Sequence, residues 1–132
     1  MNLREYFKQD KFSSHNGVEL IDIAEGYSKA RMYVTEGHGN ALGFCQGGAI
    51  FTLADLAFAV AANSRGIVTV SANSNISFIR SVKVGQYIYA EAHEIVNHYK
   101  LPFIEVRISD EEGTLLAIMT STGYRKTNVT IE

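Results

Sequence analysis

Residues 49–63, Ala-Ile-Phe-Thr-Leu-Ala-Asp-Leu-Ala-Phe-Ala-Val-Ala-Ala-Asn, constrain the fold more than any other stretch of the chain. Alanine and leucine dominate, which favours a helix, and apolar residues fall on nearly every side of it. A surface helix shows one apolar stripe; a helix apolar all round has to be buried. The run 49–62 contains Thr52 and Asp55. It is too short and too polar to span a bilayer, which takes about 20 apolar residues. Other parts of the chain must therefore wrap this helix.

The remaining pattern supplies strands for that purpose. Residues 18–23 and 27–34 read as two strands around Glu25-Gly26, a hairpin. After Gly66, a C-cap candidate for the helix, residues 67–79 alternate: Val68, Val70, Ala72, Ile76 and Phe78 share one face, and Thr69, Ser71, Asn73, Asn75 and Ser77 the other. Residues 86–98, 101–109 and 114–124 are further β-rich runs, separated by turns at Lys83-Val84-Gly85, Tyr99-Lys100 and Asp110-Glu111-Glu112-Gly113. A short helix over residues 2–9 places Leu3, Tyr6 and Phe7 on one face. This order predicts an α+β domain, an antiparallel sheet wrapped around one long central helix. One helix leaves much of such a sheet uncovered, which points to oligomerisation.

At 132 residues the chain makes one domain with a sizeable core. Its net charge of −2 and lack of any basic run argue against a nucleic-acid partner. The N-terminal residues mix charges and lack a signal-peptide core. The lone Cys45 rules out an internal disulfide and fits a reducing cytoplasm. His15, His38, His93 and His98 show no metal-ligand spacing.

Asp55 is the one carboxylate inside the apolar helix, and an unpaired buried carboxylate costs several kcal/mol. Either it bonds to nearby backbone or to Asn40, or it works at a site. Residues 35–48 form a glycine-rich loop ending in Gly47-Gly48, just ahead of the helix. Glycine lets a ligand approach the backbone, and the free N–H groups of a helix start attract negative charge. A carboxylate one or two turns from such donors has the outline of acyl-transfer chemistry. Cys45 with His38 as base is a competing nucleophile, set against the ordinary role of a lone cysteine as a small buried hydrophobe. Asn40 is by type a turn residue, and the polar stripe containing Ser71 reads as a solvated or subunit-facing surface.

Asn40, Gly43, Gln46-Gly47-Gly48 and Phe51-Thr52-Leu53-Ala54-Asp55, followed by the block 71–80 and Gly85, resemble the hotdog-fold acyl-CoA thioesterases, in particular the phenylacetyl-CoA thioesterase-like branch. The resemblance covers roughly residues 15–125. It implies a hotdog fold and hydrolysis of acyl-CoA, with coenzyme A as part of the substrate and no metal or redox cofactor. It implies Asp55 as general base or nucleophile and the Gly47 N–H as oxyanion donor. Asn40 would position carbonyl or water, and Ser71 would hold water across a dimer interface. It further implies homodimers with sites between protomers, paired into homotetramers. The family's usual histidine before the glycine pair is Gln46 here, which cannot titrate near neutral pH; position 81 is Ser where the family often has Pro. Phe51, Leu53 and Phe58 are candidates to line the acyl chain, and Arg80, Lys83, Arg125 and Lys126 candidates to meet the coenzyme A phosphates.

Overall fold

The computed structural model describes residues 2–131, the side chains of Thr127 and Asn128 excepted. The apolar run forms α3, Gly47–Asn63, and Ala54, Ala57, Ala61 and Leu53 on it are fully or almost fully buried. Its alanines let the sheet approach closely. Six strands surround it: β1 (Val18–Ala24), β2 (Tyr27–Tyr33), β3 (Ile67–Phe78), β4 (Tyr87–Val96), β5 (Phe103–Asp110) and β6 (Leu115–Thr130). They form one sheet in the order β1-β2-β4-β5-β6-β3, with every neighbouring pair antiparallel.

Period-two alternation decides which side chains meet α3. Ala30 and Met32 of β2, Ile88, Ala90 and Ala92 of β4, Ile104, Val106 and Ile108 of β5, and Met119 of β6 pack into one core with the helix. The buried Ser28 hydroxyl donates to the Ala57 carbonyl at 2.6 Å, which ties β2 to the helix. At the far end of α3 the Asn63 carboxamide clamps β3: its Oδ1 accepts from Thr69 N at 2.8 Å, and its Nδ2 donates to Thr69 O at 3.0 Å. The predicted hairpin is present, with Gly26 at φ +70° in the two-residue turn.

Four expectations change. The single helix over 2–9 is two short helices, α1 (Leu3–Phe7) and α2 (Lys11–His15), because the Asp10 side chain accepts from Ser13 N and restarts the helix. The long helix begins at Gly47, so the glycine pair is its first turn, and Gln46 is its N-cap. Its C-cap is Ser64; Gly66, at φ +82°, closes the following turn by donating to Asn63 O. In β3 a bulge at Ala72 breaks the expected face assignment: Ser71 lies opposite Gly123 but Asn73 opposite Thr122. Thr69 is therefore buried while Val70 is exposed.

Candidate active site

The two ends of the expected catalytic apparatus lie on two different cavities. At the start of α3, a cavity of about 500 Å³ is lined by Asn40, Gln46, Gly47, Ile50, Phe78 and Arg80, among others. The loop around it is tightly held. Asn40 Oδ1 accepts from Leu42 N at 2.9 Å and Phe44 N at 3.1 Å, the turn role its residue type suggests. Cys45 N donates to Val82 O, and Gln46 N to His38 O, each at 2.7 Å. The Gly47 N–H donates to the Gln46 side-chain oxygen at 2.9 Å. Gln46 thus covers the amide expected to face an oxyanion. The Phe78 ring lies against Gly47 so closely that a Cβ there would sit 3.0 Å from it, so glycine is what lets the ring reach the helix start.

Asp55 borders a second groove, of about 250 Å³, with Tyr6, Phe7, Phe58, Val68, Val70 and Ser71. It is half-buried, and its carboxylate makes no hydrogen bond or ion pair with any described residue. The expected local alternatives are therefore not taken, since Asn40 spends its oxygen inside its own loop. Burial, and then the negative charge of Asp10, push the Asp55 carboxyl above its ordinary value of 3.8. Ser71 is exposed, and its hydroxyl bonds to that of Ser74 at 3.0 Å.

Gly47 and Asp55 are two helical turns apart, about 12 Å along the axis at 1.5 Å per residue. The idea that both act on one carbonyl from the same helix is corrected here: within one chain the donor and the carboxylate do not converge.

Other candidates sort by burial. Arg125 is 5% exposed, pairs with Glu94 at 3.6 Å, and donates to His98 O and Asn97 Oδ1, so it is a structural cation unable to reach a phosphate. Lys83 and Lys126 are exposed, and Arg80, beside the first cavity, donates to the Leu115 carbonyl. Leu53 is wholly inside the core and lines neither of the two cavities; Phe58 is buried but borders the Asp55 groove. Desolvation pushes the Cys45 thiol up to about 11. Both His38 ring nitrogens are engaged, one with the Thr35 N–H and the other with the Asn16 carbonyl, so no cysteine–histidine pair forms. Among the described residues no cluster of three His, Cys, Asp or Glu could hold a metal ion, and no helix is long and apolar enough to cross a membrane. Sequence reasoning missed Tyr6, Phe7 and Asn63 at the groove. The apolar face of residues 2–9 was the available signal for the first two.

Comparison with known proteins matches this architecture. The family model of the thioesterase superfamily matches residues 42–117. Acyl-coenzyme A thioesterase PaaI of Escherichia coli K12 is 27% identical over 124 residues, covering 94% of this chain and 89% of its own. Human acyl-coenzyme A thioesterase 13 is 32% identical over 103 residues, covering 76% of this chain and 74% of its own. The solved structure of the E. coli PaaI protein from the phenylacetic acid degradation operon matches with a TM-score of 0.94 at 27% identity, over 99% of this chain and 94% of that one. With a six-stranded antiparallel sheet wrapped on one helix and a family match across most of both, the chain belongs to the thioesterase superfamily, in its PaaI-like hotdog-fold branch.

Proposed function

We propose that this protein hydrolyses acyl-CoA thioesters, with Asp55 as the carboxylate that activates water or attacks the carbonyl. The observation that carries this reading is Asp55 itself: half-buried, unpaired and bordering a largely apolar groove, in a member of a thioesterase family. A carboxylate left unpaired at such a cost is poised for use. The Gly47 N–H stabilises the developing oxyanion, a donor worth about 3–4 kcal/mol of barrier in such sites. The bond from Gly47 to Gln46 Oε1 then has to open, and the thioester oxygen takes the place of the carboxamide oxygen.

The separation of Gly47 from Asp55 makes the site a product of two chains, the helix start of one copy facing the Asp55 groove of another. β3 supports this assembly. It is a 12-residue edge strand whose Val70, Asn73, Asn75 and Phe78 are exposed, and an open edge of that length is a template for pairing. Paired β3 edges bring Ser71 to the interface. On the outer face of the sheet, Tyr33 and Tyr87 pack at 5.0 Å with Arg31 over the Tyr87 ring. That aromatic surface suits pairing of dimers into a tetramer. Asn40 holds the loop on which the carbonyl rests, and Arg80, which lines the first cavity, and the exposed Lys83, bridged to Phe44 of that loop, meet the phosphates of coenzyme A.

A second reading, a non-catalytic acyl-CoA binder, is favoured by one observation: Gln46 stands in the histidine position and covers the Gly47 amide. Thiol release from a panel of acyl-CoAs separates the two. Hydrolysis predicts turnover that falls at least about 100-fold in Asp55→Asn, the range of a lost general base. Binding without turnover by the wild-type protein would establish the second reading.

A further inference from the structure

Phe7 borders three cavities, a shallow one shared with Tyr6, Gln9 and Asp10 and two that bear on the site. One is the Asp55 groove, shared with Tyr6, Phe58, Val68 and Val70. The other is a separate cavity of about 310 Å³ between α1, α2, β1 and α3, where Phe7, Val18, Leu20 and Leu56 form the apolar part of the lining and Arg4, Lys8, Ser13, Ser14 and Glu19 the polar part. Tyr6 borders the groove but not that second cavity. We infer that Phe7 is the back wall of the acyl subsite and makes it selective for short or compact acyl groups. This inference rests on the reading of the Asp55 groove as the place where the acyl group lies.

The wall is anchored. Arg4 donates through Nη1 to Leu20 O at 3.0 Å and through Nη2 to Ile21 O, which fastens α1 to β1. The Asn2 side chain caps α1 by accepting from Glu5 N at 2.9 Å, and the Asp10 side chain starts α2 just beyond it. The Phe7 ring also packs edge-on against Tyr6, with ring centres 5.1 Å apart. The backbone that carries Phe7 is thus held between the Asn2 cap and the Arg4 bonds on one side and the start of α2 on the other, which keeps the aromatic ring at the last position of α1 beside the groove. An acyl chain growing away from Asp55 along the apolar lining therefore meets a ring, with unused space behind it.

The test measures binding and so does not depend on turnover. Ethyl-, hexyl- and dodecyl-CoA thioethers, which cannot be hydrolysed, are titrated calorimetrically into the full-length wild-type protein and into Phe7→Ala, Phe7→Leu and Tyr6→Ala. The wild type should gain affinity from ethyl to hexyl and none from hexyl to dodecyl. Phe7→Ala should open the groove into the second cavity and bind dodecyl-CoA about tenfold or more tighter than the wild type, in line with the 10–200-fold that a methylene is worth in an apolar pocket. Phe7→Leu should show a smaller gain in the same direction, which serves if the alanine variant does not fold. Tyr6→Ala, which borders the groove but not the second cavity and frees one side of the Phe7 ring, should show a dodecyl gain well below that of Phe7→Ala. An unchanged ratio of dodecyl to hexyl affinity in both Phe7 variants overturns the inference. So does an equal gain in Tyr6→Ala, which would signify a loosened α1, or a wild type that already favours dodecyl. Thioether binding with the expected profile, but no thiol release from the matching thioesters, would refute hydrolysis and leave the wall standing.

Discussion

At Asp55 the burial that raises the carboxyl pKa also charges the fold a stability penalty. The folded-state pKa lies above the unfolded value near 3.8, so the folded protein binds the extra proton between the two values, and stability declines as pH rises through that window. Above it the full penalty of holding a desolvated charge remains. Asp55→Asn should accordingly melt a few degrees higher than the wild type at pH 7, and the difference should vanish as pH is lowered below about 3.8; thermal melts across pH measure this. A second consequence concerns Asp10, whose negative charge is the lesser cause of the shift. Asp10→Asn keeps a good N-cap for α2 but removes the repulsion. In the proposed mechanism the ionised form of Asp55 is the active one, so the acid limb of the kcat/KM profile should move to lower pH. A limb that stays put would mean that Asp55 does not govern it.

The elements that position this carboxylate are held by a few polar bonds. Asn63, at the last turn of α3, replaces a missing ladder partner for Thr69 with two bonds of its own, and so sets β3, with Ser71, alongside the Asp55 groove. Asn63→Ala strands a buried N–H and a buried carbonyl, and should cost about 2–4 kcal/mol in denaturant unfolding. How legible such elements were depends on how local their causes are. The hairpin at Gly26 and the run of α3 follow from neighbours in sequence, and both were readable. α2 was not: five residues started by a single Asp10 cap carry no apolar period. The bulge at Ala72 has no local signature either, because it is a shift in pairing with β6, about 50 residues further along the chain. Arg125 looked like a surface charge because its partner Glu94 lies 31 positions away, on β4.

For the whole molecule the proposed mechanism makes one chain half a site twice over. Gly47 and Asp55 were visible in the sequence as a pair eight residues apart, but spacing along a helix says how far apart two groups are, and nothing about which copy completes each. A symmetric assembly through the β3 edge would give two sites per dimer, each made of the helix start of one protomer and the carboxylate of its partner. Subunit complementation tests this most directly. Gly47→Pro removes the N–H at the first position of the helix, where the extended Gln46 at φ −62°, ψ 136° suits a following proline, although the proline ring also displaces the Phe78 ring packed against Gly47. It should lower kcat about 100- to 1,000-fold, and Asp55→Asn should be comparably inactive. Co-unfolding and refolding an equal mixture of the two inactive variants should restore thiol release to about a quarter of the wild-type rate, since half of the dimers formed are mixed and each carries one intact site. A mixture as inactive as its components would contradict the account, and would return both groups to a single chain.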